Sequence, residues 1–222
     1  MCFSAEADLV AGIVIAGVGV DAVRHVSRRE ELPLASIPFV LAAHQLVESV
    51  VWRGLEGDAS HTVGRAAIWA YLVIAFVVVP VLVPVALALL EPPGTRRRMY
   101  GFVALGAVVA AVLLRAMLQG PVVATIDAHH ISYEVEVGRG GLVDALYVVA
   151  TCGPMLTSSA SRLRWYGVAN LAAVVALAWF ASSALISLWC LWAAVTSVAI
   201  ALHLRTSDRP FNAARPVVPS GS

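Results

Sequence analysis

The chain contains no lysine; its 15 basic residues are all arginine. Any chemistry that runs through a lysine amine, a retinal Schiff base included, is therefore excluded. Charge of either sign is scarce, at 13% of residues, against about 25% in an ordinary soluble domain. Hydrophobic residues make up 60% of the chain and the mean hydropathy is +0.84. Cysteine is equally sparse: Cys2, Cys152 and Cys190 form no paired framework, and the last two sit in apolar runs where a thiol acts as a small hydrophobe. The first apolar run follows the acidic MCFSAEAD rather than a basic segment, so no cleavable signal peptide is expected. What the chain has in abundance is long apolar runs, and they make it an integral membrane protein whose first partner is the lipid bilayer.

Seven such runs are legible, at about 4–26, 35–56, 63–90, 99–119, 142–158, 163–181 and 184–204. The expected fold is all-α, with seven transmembrane helices filling residues 1–205 and a disordered cytoplasmic tail over 206–222. Pro80 and Pro84 predict a kink in the third span. Between the fourth and fifth spans, 121–139 alternates apolar and polar residues around DAHH. That period of two predicts a short extracellular β-hairpin lying over the bundle as a lid. Links after the first, third and fifth spans, with the tail, hold 11 arginines, and the opposite side holds only Arg53, Arg65 and Arg139. This imbalance puts the N-terminus out and the C-terminus in. It also accounts for the arginine clusters, so no nucleic-acid partner is implied.

The second span, ASIPFVLAAHQLVESVVWRGLE, organises the rest. It carries His44, Gln45 and Glu48 at membrane depth, and an ionisable group there costs about 2.5–3.5 kcal/mol on insertion scales. Such groups face other helices or a wet cavity. His44 and Glu48 are one turn apart on one face, with Trp52 a turn further on. Polar residues gather toward the outer side: Asp8, Glu48, Trp52, Arg115, Asp144, Tyr147 and the lid pair His129 and His130. A cavity open to the outside, floored by His44, is the expectation.

Imidazole plus carboxylate suits Zn²⁺, with His44 and Glu48 as ligands and His129, His130 or Cys2 completing the set; a thiolate from Cys2 would also suit Cu(I). Glu48, Asp144 and Tyr147 are then the candidates for acid–base work, and Arg115, Trp52 and Gln45 for substrate contact. Plainer readings stand beside this one. His44 and Glu48 can be a structural hydrogen-bonded pair neutralised by Arg115. The lid histidines can be solvated or pH-responsive, and Trp52, Trp69 and Trp179 can be interface anchors.

The opening MCFSA, the ELP-x₃-IP approach to the second span and HQLVESVVW within it resemble an uncharacterised family of bacterial seven-span membrane proteins, over most of the chain up to the tail. The resemblance implies the span count, with no activity attached; a multi-pass place in a bacterial plasma membrane is the expectation for such a chain. The chain departs from the seven-span metal hydrolases of the alkaline ceramidase and progestin-receptor type, whose last span carries two histidines; here that span offers only His203. Three functions are open at this point. The first is a metal-dependent hydrolase of a lipid-like or small substrate. The second is a transporter, channel or sensor subunit using Glu48, Arg115 and Asp144 for protons or anions. The third is a structural subunit that pairs with itself or with other membrane proteins.

Overall fold

A computed structural model describes residues 4–127, 130–138, 140–179 and 186–207, without the side chains of His130, of 177–179 and 186–191, and of Ser207. Cys2, His129 and the tail from 208 lie outside the described residues. Within them are seven helices and one hairpin: α1 (Ala5–Arg24), α2 (Leu32–Glu56), α3 (His61–Leu90), α4 (Pro93–Gln119), β1 (Val122–Asp127), β2 (His130–Val135), α5 (Gly140–Thr157), α6 (Ser161–Trp179) and α7 (Ile186–Ser207). Four of these, α2 with the short turn before it, α3, α4 and α5, are long and apolar enough to cross a membrane. α1 matches their length but carries Glu6, Asp8, Asp21 and Arg24.

Two helices start earlier than their apolar runs suggest, for the same reason. α2 places Pro33 and α4 places Pro93 in the first turn, where a missing N–H costs nothing and the fixed φ favours the helix. α2 is then the hub. Away from the hairpin its Leu34, Ala35 and Ile37 pack with Ala22 of α1, Val83 and Leu87 of α3, and Ile200 and Leu204 of α7. At the hairpin end Val51 and Trp52 pack with Ala5, Ala67 and Ile131. The strands pair antiparallel, from Val122 opposite Val135 to Asp127 opposite His130. Ile131 is buried beneath the hairpin while Glu134 and Glu136 are exposed, which is the alternation the sequence carries.

The prolines of α3 do something more specific than kink it. The helix widens into a π turn over Ile74–Val78. There the Val79 N–H reaches back to the Ile74 carbonyl, so Ala75 loses its usual donor, and Pro80 has none to offer in its place. The Tyr147 hydroxyl of α5 donates to the Ala75 oxygen at 2.8 Å and fills the gap. Pro84 likewise strips the Pro80 carbonyl of its intrahelical partner, and α4 presses Gly106 against that oxygen so closely that a Cβ there would collide with it.

At the end opposite the hairpin, the Glu91 carboxylate fastens two turns together. It accepts from Ser158 Oγ at 2.5 Å, Ser159 N at 2.8 Å and Thr95 Oγ1 at 2.8 Å. Burial pushes this acid up, but the hydrogen bonds from Ser158, Thr95 and Ser159 outweigh it and hold Glu91 below its ordinary value. The arginines here cap helix ends: Arg96 donates to the Leu89 and Glu91 carbonyls, and Arg164 to those of Ser158 and Ser159.

Two tests follow from these contacts. Tyr147→Phe leaves the Ala75 carbonyl unpaired in an apolar setting and is expected to lower stability by about 1–3 kcal/mol, read as the thermal midpoint in detergent. Because Glu91 is held low, its contribution is complete above the ordinary value of 4.5 and is lost as pH falls through the lower folded value. Glu91→Gln should flatten that acid limb of the stability–pH curve.

Candidate functional site

The polar face of α2 is enclosed on three sides. α1 brings Asp8, α3 brings Tyr71, and the hairpin brings Tyr133 over the top. Asp8 (0% exposed), His44 (6%), Gln45 (1%), Glu48 (5%) and Trp52 (3%) are all buried. The enclosure is tight because α2 and α3 cross where Gly54 meets Gly64; a Cβ on Gly54 would lie 2.7 Å from the Gly64 Cα.

Three rings stack through this site. His44 lies on Tyr71 with centroids 3.9 Å apart, and Tyr71 lies on Tyr133 at 4.4 Å with planes 11° from parallel. The column links the buried imidazole of α2 to the hairpin. Glu48 interacts with the Tyr71 hydroxyl and feels the charge of Asp8 through space. Trp52 faces Asp8. Burial, followed by the charges of Glu48 and Asp8, pushes the Tyr133 phenol well up, so it stays a hydrogen-bond donor at every physiological pH.

Several of the polar atoms enclosed here have no hydrogen-bond partner in the structure. His44 Nε2, both amide atoms of Gln45 and the Tyr133 hydroxyl are sealed from solvent without a hydrogen-bond partner in the structure. Each such atom costs about 1–3 kcal/mol. Together they rival the whole net stability of a domain, about 5–15 kcal/mol. A second polar group in the bundle shows the contrast: Trp192 Nε1 donates to Asn170 Oδ1 at 2.7 Å, and Asn170 Nδ2 donates to Cys152 Sγ at 3.2 Å. That chain is satisfied and structural. The site around His44 is not.

Of the residues the sequence nominates, His44, Gln45, Glu48 and Trp52 come together. Arg115 does not join them: it is exposed and its Nε donates to Gln119 Oε1 at 3.0 Å, one turn along its own helix. Asp144 is exposed, and Tyr147 is committed to Ala75. Cys2, His129 and the side chain of His130 fall outside the described residues. Among the described residues, no group of three His, Cys, Asp or Glu side chains is arranged to hold a metal ion. Tyr71 and Tyr133 are the members the sequence leaves unmarked, and Asp8 joins them with a closer role than its place near a helix end implied.

A family model covering residues 1–215 matches, described as a family of unknown function, DUF6629. The chain belongs to that family. No curated protein and no solved structure matches it. The DUF6629 match runs through every element that builds the site, from Asp8 to the hairpin and on through α7.

Gln45 gives the simplest check that the cluster is kept for something other than stability. Gln45→Leu removes two unpaired atoms at nearly constant shape and is expected to stabilise ligand-free protein by about 1–3 kcal/mol in thermal unfolding. A midpoint lowered by the same amount would mean that the amide already has partners.

Proposed function

We propose that this is a seven-span protein of the bacterial plasma membrane, amino terminus outside and carboxyl terminus inside. On this reading its hairpin-covered outer site binds a metal ion, zinc first and copper second, and hydrolyses a lipid-like or small substrate. The supporting observation is His44: its Nε2 is buried and unpartnered one helical turn from Glu48. A neutral imidazole and a carboxylate on one helix face make a two-point anchor for Zn²⁺. The remaining ligands would come from Cys2 and the 128–130 turn. A bound zinc ion would supply an activated water, and Glu48 or Asp8 would take a proton from it. The transporter and sensor readings lean on Arg115 and Asp144 beside Glu48; with both exposed, only Glu48 remains for them.

The deciding experiment is elemental analysis of purified full-length protein in detergent, with zinc titration. One zinc per chain is expected, with binding lost in His44→Ala, which removes a direct ligand. Protein that takes up no zinc under saturating conditions would remove the hydrolase reading. For the topology, a reporter fused at the amino terminus should be reached from outside the cell, and one fused after α7 should not.

A further inference from the structure

α3 is anchored on both sides of its π turn. On the side away from the hairpin, the Pro80 carbonyl meets Gly106 of α4, and Val83 and Leu87 sit in the core with α2. On the hairpin side, Gly64 meets Gly54, and Tyr71 lies flat on His44 with centroids 3.9 Å apart. An α-helix turns about 100° and rises about 1.5 Å with each residue. The π turn over Ile74–Val78 absorbs one residue without passing that rotation on. It therefore sets which face of the hairpin-side half meets α2.

Pro80 reduces the choice of spacing to one carbonyl. With π spacing its missing N–H falls opposite Ala75; with α spacing it falls opposite Phe76. Either register leaves one oxygen without a backbone donor. The Tyr147 hydroxyl, 2.8 Å from the Ala75 oxygen, answers only the first. One hydrogen bond from α5 thus favours one register of α3 over the other.

We propose that Tyr147 is a positioning residue: its hydroxyl selects the π register of α3 and so holds Tyr71 over the His44 ring. Without that bond, Val79 returns its N–H to Ala75, and the hairpin-side half of α3 turns by about 100°. Tyr71 then leaves His44, and Gly64 leaves Gly54. In this way α5 governs access to a site built on α2. That access matters on the reading of His44 as a ligand; the coupling of Tyr147 to Tyr71 does not depend on it.

The test is the rate at which diethyl pyrocarbonate modifies His44 in full-length protein in detergent, without zinc, read peptide by peptide. Exposed His61 sets the upper limit, and half-buried His203 of α7 reports general loosening. Tyr147→Phe should speed His44 at least about tenfold, the worth of one buried hydrogen bond, with His203 unchanged. Asn170→Ala breaks the Trp192–Asn170–Cys152 chain instead. It should lower the thermal midpoint and leave His44 slow. Deleting Val77 removes the surplus residue, so that α spacing alone keeps Tyr71 where it lies. Tyr147→Phe in that background should leave His44 covered although the midpoint still falls. If the deletion chain does not fold, the single variant decides. His44 staying slow in Tyr147→Phe would overturn the proposal. So would His44 and His203 rising together, the mark of a merely structural role. A chain that takes up no zinc yet shows the His44 response would sustain this inference and remove the metal from the preceding one.

Discussion

Burying an imidazole, an amide and a carboxyl on one face of a helix that is otherwise fit for lipid is the constraint from which the architecture follows. Such a face cannot meet hydrocarbon, so α2 must be surrounded, and it is the helix that touches α1, α3 and α7 at once. The glycine contact between α2 and α3 draws the neighbouring helix close enough for Tyr71 to lie flat on His44. Tyr133 then extends that column upward, which fixes where the hairpin can rest. Packing, shielding and access are here one arrangement rather than three.

The two ends of the bundle are built on opposite terms. Away from the hairpin, polar groups among the described residues are answered: Glu91 by two serines and a threonine, the ends of α3 and α5 by Arg96 and Arg164, and the half-buried Asp21 by a two-pronged contact from Arg205. At the hairpin end polar atoms are enclosed and left unanswered. A chain that satisfies one end so fully does not leave the other short through lack of means.

The helical class, the hairpin and the four best residues of the site could be read from sequence because each depends on a local signal: apolar run length, a period of two, or a polar residue at a forbidden depth. Tyr71 could not, since a tyrosine two residues after Trp69 looks like any interfacial aromatic until α3 is docked. Tyr133 was visible only as one of four alternating apolar positions; that its hydroxyl would be buried depends on what lies below. Arg115 misled in the other direction. A lone arginine in an apolar run seems to need a buried partner, yet near the end of α4 it reaches the surface and the Gln119 side chain. Tyr147 shared a face with Asp144 in sequence, but the π turn that claims its hydroxyl has no sequence signal beyond the prolines that follow it.

The π turn in α3 also bears on biogenesis. The Ala75 carbonyl finds its donor in Tyr147, 72 residues later in the chain. At translation rates of about 5–20 residues per second, that hydroxyl is not synthesised until roughly 4 to 14 seconds after Ala75. During that interval α3 carries a bare oxygen in a stretch otherwise made for lipid. The hydrogen bonding of α3 is therefore completed only once α5 has been made and has docked against it.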